Sequence, residues 1–182
     1  MRTELVTDRL RLTRFSRADT VALVEALDDE RIARMTARIP YPYTPADAFA
    51  FLALIERGWA IGREYAYAIR AGDALAGSAG IVTHEDDAEL GYWVAVPFWG
   101  RGIATEAAST VCEEAFATLD VERLTAGHFA DNPVSGRVLR KLDFHPTGET
   151  GRRFSIARGD DAPFIAYARP RGTGKVRGGA AA

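Results

Sequence analysis

The segment Pro97 to Ala107, PFWGRGIATEA, restricts the fold of this chain more than any other. The run before it, Glu89 to Val96 (ELGYWVAV), is aromatic and β-branched and reads as a strand. After Pro97 the pattern changes to a helix from Ile103 to about Leu119, with Ala107, Val111, Ala115 and Phe116 on one side. Between them two glycines flank Arg101. Glycines let the backbone turn so that successive N–H groups converge, and a helix starting there leaves its first four N–H groups without intrahelical partners. The turn is either an ordinary strand–helix connection or an anion seat for a phosphate, with Arg101 adding charge. It lacks the third glycine of a dinucleotide fingerprint, and the GTGK at Gly172 to Lys175 lacks the spacing and the Ser or Thr of a P-loop.

A second segment, Asp131 to Phe144 (DNPVSGRVLRKLDF), places Asn132 at the end of a strand and a helix directly after it. Asn132 is an N-cap before Pro133 at the first helical position, or an amide that serves as donor and acceptor to an amide-bearing ligand. Val138, Leu139 and Leu142 form the apolar side of that helix.

The remaining pattern fits around these two segments. Arg9 to Arg14 alternates like a strand, Ala18 to Leu27 has helical spacing, and a further helical piece spans Asp29 to Ala37. Thr44-Pro45, with Asp47 behind it, starts a helix that runs to Trp59. Strands are expected at Glu64 to Ala71, Leu75 to Thr83, Glu89 to Val96, Arg123 to Phe129, Phe144 to Thr150 and Phe164 to Arg169. This order predicts one α/β (α+β) domain with a mixed sheet over residues 1–171. Gly172 to Ala182 is Gly, Ala and charge, and is expected to be a disordered tail.

A length of 182 residues suits that single domain. The formal net charge of -2 carries no strong nucleic-acid signal, although Arg171, Lys175 and Arg177 near the end leave a ribosome or RNA contact to consider. One cysteine, Cys112, excludes an internal disulfide and a cysteine-built zinc site; it sits on an apolar helix side and reads as an inert core thiol. No apolar run reaches the ~18 residues of a membrane span, and Met1-Arg2-Thr3-Glu4 does not open a signal peptide, so the expectation is a soluble cytoplasmic protein with no membrane partner. His84, His128 and His145 stand singly and read as structural or surface residues, with no metal site.

Together the two segments resemble the GNAT N-acetyltransferase superfamily, and especially its ribosomal-protein-alanine acetyltransferase (RimJ/RimL-like) branch. TDRLRLTRF resembles the branch's first strand, ELGYWVAVPFWGRGIATEA its fourth strand, phosphate loop and third helix, and NPVSGRVLRKLDF its Asn-x-x-Ser helix. The likeness runs from about Thr7 to Arg169. Trp99 stands where the superfamily has Gln or Arg, a substitution shared with the branch. Asp143 stands where the branch has Gly, and Asp tolerates positive φ better than most residues.

The resemblance implies a mostly antiparallel sheet of about seven strands, splayed between strands 4 and 5 and flanked by about four helices. It implies acetyl-CoA as cofactor. The pyrophosphate would lie on the amides of Arg101 to Thr105, within a loop of Trp99, Gly100, Arg101, Gly102, Ile103, Ala104 and Thr105. The pantetheine would pair with the backbone of Val94 and Val96 and be held by Asn132, with Ser135 beside it and Arg137 or Lys141 near the adenosine phosphate. The Val94 amide would polarise the acetyl carbonyl. Glu89 corresponds to the acid proposed as base in related enzymes, or is a solvated strand-edge carboxylate. Ser135 would protonate the thiolate, or be a first-turn hydroxyl bonded to backbone. Tyr41, Tyr43 and Trp93, with Glu89, are candidate walls of the acceptor site.

The implied reaction is acetyl transfer to a primary amine by direct attack in a ternary complex. The expected acceptor is a protein N-terminal α-amine. With a pKa near ~7.8 it is roughly one-tenth neutral at pH 7, whereas a lysine near ~10.4 costs about 4.6 kcal/mol to deprotonate there. Alternatives are a small-molecule amine (polyamine, antibiotic or amino acid) and a non-catalytic CoA-binding regulatory module. The branch suggests a homodimer, and nothing in the sequence itself shows one.

Overall fold

The computed structural model describes residues 1–85 and 87–172. The expected tail therefore lies outside the described residues from position 173 onward, as does Asp86.

Among the described residues eight strands form one sheet: β1 (Glu4–Val6), β2 (Arg11–Arg14), β3 (Glu64–Ala71), β4 (Ala74–Thr83), β5 (Asp87–Val94), β6 (Arg123–Phe129), β7 (His145–Ser155) and β8 (Asp160–Pro170). Among the same residues five helices flank it: α1 (Thr20–Leu27), α2 (Glu30–Ala33), α3 (Pro45–Ala60), α4 (Ile103–Thr118) and α5 (Pro133–Lys141). The sheet order is β1-β2-β3-β4-β5-β6-β8-β7. One strand is additional to the sequence expectation, since β1 has three residues, too few to show a period, and one helix falls short of it, since the 29–37 stretch keeps only one helical turn as α2.

Local chemistry explains the starts and stops. Thr44 Oγ1 accepts from Asp47 N and the Asp47 carboxylate accepts from Thr44 N at 2.8 Å, a reciprocal cap that starts α3 at Pro45. Asp143 closes the α5 turn at φ 63, the left-handed conformation expected there.

All pairings are antiparallel except β5 with β6. That parallel ladder holds only Asp87↔Arg123, Ala88↔Leu124 and Glu89↔Thr125. β5 then continues to Val94 and β6 to Phe129, so the sheet opens in a splay that begins just past Glu89.

Helices cover both faces, and β3 reads accordingly: Tyr67 and Ile69 join one core while Ala68 joins the other. The larger core places Ala107, Ala108, Val111, Cys112 and Ala115 of α4 against Ile81, Leu90 and Leu124. The smaller packs Leu23, Leu27, Ile32 and Leu52 around Tyr43 and Leu75. Cys112 is fully buried, and burial pushes its thiol up to about 12, which makes it a poor nucleophile. Among the described residues no helix is long and apolar enough to cross a membrane.

Candidate functional site

The splay opens into a cleft of about 1710 Å³, well above the roughly 300–1,000 Å³ of a drug-sized pocket. Residues from β5, the loop before α4, β6, α5 and the stretch after α2 line it.

At one end lies the glycine loop. Gly100 and Gly102 adopt φ 76 and 77, which side chains rarely allow. Gly102 is the N-cap of α4, and no side chain caps the helix. The amides of its first turn therefore have no intrahelical acceptor, and Gly102, Ile103, Ala104 and Thr105 all face the cleft. Arg9 straps the loop from outside. Its Nη1 donates to Arg101 O at 3.1 Å, and its Nε donates to Glu106 Oε2 at 2.8 Å. Burial pushes Glu106 up, but the hydrogen bonds from Thr7 and Arg9 outweigh it and hold the carboxyl below the usual range.

Trp99 fastens the same loop to β5 by donating from Nε1 to Val94 O at 2.7 Å. Val96 departs from the expected strand pairing. β5 ends at Val94 because Pro97 supplies no N–H for a ladder, and Val96 opens a 3-10 turn whose carbonyl accepts from Trp99 N at 3.1 Å. Arg101 places its guanidinium 5.4 Å from the Phe98 ring centroid, and its side chain is not among the cleft-lining residues. Arg137 and Lys141, one helical turn apart on α5, do line the cleft.

The inner wall joins β5 to α5. Asn132 Oδ1 accepts from Ser135 N at 3.2 Å, so the amide caps α5. Ser135 Oγ lies 2.8 Å from the Tyr92 hydroxyl. Burial pushes Tyr92 up to about 12 despite the Ser135 bond, so it keeps its proton across the neutral range. Tyr92 is absent from the sequence candidates, although the alternation of ELGYWV puts it on the face of Leu90.

The other end holds Glu89, at the foot of the splay between Val82 and Thr125. Arg153 of β7 donates from Nη1 to Glu89 Oε1 at 2.6 Å, and its guanidinium stacks 4.4 Å from the Phe164 ring centroid. On β3, across Val82, Glu64 is paired in the same way with Arg38 at 2.9 Å. The β7–β8 hairpin is pinned over this end. Ser155 Oγ donates to Thr36 O at 2.9 Å, Ile156 N to Ala37 O at 3.0 Å and Arg158 Nε to Arg34 O at 2.8 Å. Tyr43 and Trp93 line the cleft, whereas Tyr41 is exposed and stands outside it. The Tyr43 hydroxyl is buried without a partner and is pushed up to about 12, first by burial and then by the Asp47 charge.

The structure thus gathers Glu89, Trp93, Val94, Trp99, Gly100, Gly102, Ile103, Ala104, Thr105, Asn132, Ser135, Arg137, Lys141 and Tyr43 around one cleft. Sequence reading missed Arg9, Tyr92 and Arg153. Among the described residues, no three His, Cys, Asp or Glu side chains cluster as metal ligands would. The residues present fit a long cofactor with an anionic head: uncapped amides at one end, two cations on α5 lining the same cleft and an opening between two strands that close together at Glu89.

Known proteins give the same picture. The family described as acetyltransferase (GNAT) domain matches residues 9–145. The uncharacterized N-acetyltransferase YoaA of Bacillus subtilis is 29% identical over 154 residues, covering 79% of this chain and 84% of that protein. Among solved structures, RimL, a ribosomal L7/L12 alpha-N-protein acetyltransferase in complex with coenzyme A, superposes with a TM-score of 0.81 at 20% identity, covering 91% of this chain and 96% of its own. The microcin C7 self-immunity acetyltransferase MccE, in complex with acetyl-CoA and AMP, superposes with a TM-score of 0.79 at 18% identity, covering 90% and 93%.

Proposed function

The chain belongs to the GNAT acetyltransferase family and is an acetyl-CoA-dependent N-acetyltransferase; we propose that its acceptor is a protein N-terminal α-amine, attacking directly in a ternary complex. The observation that carries this reading is the pinned hairpin. Residues 155–158 are bonded to residues 34–37 across the acceptor end, an arrangement that suits a chain terminus entering end-on toward Glu89. RimL, with which the fold is shared, acts on such a terminus by its description. The same slot admits a small-molecule amine, which is the second reading, and MccE, a self-immunity acetyltransferase by its description, shares the fold too.

Acetyl-CoA supplies the activated thioester. The amides of Gly102 to Thr105 offer donors to a pyrophosphate, and Arg137 and Lys141 offer charge to a further phosphate. Asn132 and the backbone near Val94 orient the arm, and Val94 N–H is the candidate donor to the acetyl oxygen. Glu89 accepts the proton that the ammonium must lose, directly or through water. With acetyl-CoA bound, Ser135 would be the donor to a thiolate, and Tyr92, whose hydroxyl lies 2.8 Å from Ser135 Oγ, would replenish its proton. Holding both reactants in one slot supplies the largest share of the rate.

Incubation with acetyl-CoA and a panel of acceptors tests the assignment. Peptides with free N-termini should release thiol, and the same peptides with blocked N-termini should not. Release only with polyamines, aminoglycosides or amino acids would move the assignment to the small-molecule reading. Cofactor binding without turnover on any acceptor would indicate a regulatory module.

A further inference from the structure

The turn that joins β1 to β2 reaches the glycine loop from outside the cleft. Leu10 N donates to Thr7 Oγ1 at 2.9 Å and Thr7 N donates to Leu10 O at 2.9 Å, so the turn closes on itself and presents Thr7 and Arg9 together. Both meet one carboxylate on α4. Thr7 Oγ1 donates to Glu106 Oε1 at 2.6 Å, Arg9 Nε donates to Glu106 Oε2 at 2.8 Å, and Arg9 Nη2 donates to the same oxygen. The third guanidinium nitrogen, Nη1, donates to Arg101 O at 3.1 Å. One side chain thus engages the loop carbonyl and the helix acid at once, as a guanidinium fork allows.

Glu106 stands in the first turn of α4, and its N–H donates to Gly102 O at 3.1 Å. The N–H groups before it are those that face the cleft. A helix N-terminus favours negative charge nearby, and Glu106 already supplies one. Its side chain is only 20% exposed, so water screens it poorly. A pyrophosphate arriving on the same turn would bring more negative charge, and like charges repel. Arg9 removes that conflict before the cofactor arrives. Arg9, Arg101 and Glu106 do not line the cleft, so this cancellation acts from behind the loop without touching a ligand.

We propose that Arg9 is a positioning residue for the phosphate seat: its guanidinium cancels the Glu106 charge and holds the Arg101 carbonyl away from the amides that receive the pyrophosphate. The inference rests on the reading that the pyrophosphate lies on the amides of Gly102 to Thr105.

Calorimetric binding of CoA to the full chain tests this with four variants. Arg9→Gln uncovers the Glu106 charge and should weaken binding by roughly tenfold, about 1.4 kcal/mol. Arg9→Lys keeps a cation beside Glu106 and should retain most of the affinity. Arg9→Gln combined with Glu106→Gln should regain most of it, because the repelling charge is gone although the strap is still absent. A purely structural strap would leave the double variant as weak as Arg9→Gln, and that result overturns the proposal. Unchanged affinity in Arg9→Gln, with binding still abolished by Gly102→Glu, overturns the proposal and leaves the phosphate seat standing. No CoA binding by the unaltered protein overturns both. The Arg9 side chain is 56% exposed, so its replacement should cost the fold little, and thermal melting checks this. If Arg9→Gln does not fold, Glu106→Gln alone decides: it leaves the Arg9 cation uncovered beside the seat and should bind CoA at least as tightly as the unaltered protein, and weaker binding overturns the proposal.

Discussion

Arg153 Nη1 donates to Glu89 Oε1 across 2.6 Å, so the candidate base is held by a cation from the far edge of the sheet. The side chains are 32% and 43% exposed for Glu89 and Arg153, which limits the pair's worth to stability at about 0–1 kcal/mol. Its weight falls on function instead. Glu89→Gln should lower turnover by about 10²-fold or more with acetyl-CoA affinity unchanged. Arg153→Gln should lower the KM for a cationic amine, because the ammonium no longer competes with a guanidinium, and should leave the KM for acetyl-CoA in place. Steady-state kinetics with each substrate varied checks both. An unaltered rate in Glu89→Gln across pH would remove its role as base.

The glycine loop gives a second prediction. Gly102 sits at φ 77 with no atom nearer to a built Cβ than Arg9 Nη2 at 3.6 Å, so backbone strain and charge, not crowding, decide a substitution. Left-handed backbone costs an ordinary residue roughly 1–2 kcal/mol. Gly102→Glu adds a carboxylate where an anion is to bind, and acetyl-CoA binding should be abolished in calorimetry. Unchanged affinity would mean that this loop is not the phosphate seat.

Gly136 predicts a reversal of sign. Alanine inside a helix normally gains about 1 kcal/mol over glycine. Here its Cβ would meet His128 Nε2 at 2.6 Å, and overpacking costs about 1–3 kcal/mol. Gly136→Ala should therefore lower the Tm, whereas in a His128→Ala background it should raise it. Thermal melting of the four proteins checks this, and the same sign in both backgrounds would show that the ring is free to move aside.

Much of this was readable locally. Gly100 and Gly102 announce a left-handed turn, Thr44-Pro45-x-Asp47 announces a cap, and Asp143 in a glycine position announces positive φ, because each depends on its neighbours in sequence. Arg153 was not readable, since it lies 64 positions from Glu89 and meets it only through the β7–β8 register. The strap from Arg9 to the glycine loop depends likewise on where the N-terminal strands fall. The strand bound at Val96 overran because ELGYWVAV keeps its β-like composition two residues beyond Val94, where the strand ends. His128 reads as an isolated core histidine in sequence, and only the fold shows that its Nε2 is buried against Gly136.

Acid should unfold the protein through two carboxylates on α4. Burial pushes Glu114 up, but Arg2, donating from N at 2.6 Å and from Nε at 2.8 Å, outweighs it and holds the carboxyl low; Glu106 is held low by Thr7 and Arg9. A native value below the unfolded one means stability that is present above the usual carboxylate range and lost as pH falls through the native value. Glu114→Gln should cost about 1–3 kcal/mol at neutral pH and flatten the acid limb of a Tm-against-pH curve. A parallel, merely displaced curve would contradict this.

The most direct measurement is a crystal structure of the protein with CoA. The pyrophosphate should lie on the amides of Gly102 to Thr105, and the arm should pass between β5 and β6 with its thiol end between Glu89 and Ser135. CoA bound outside the splay, or with its thiol directed away from Glu89, would contradict the account.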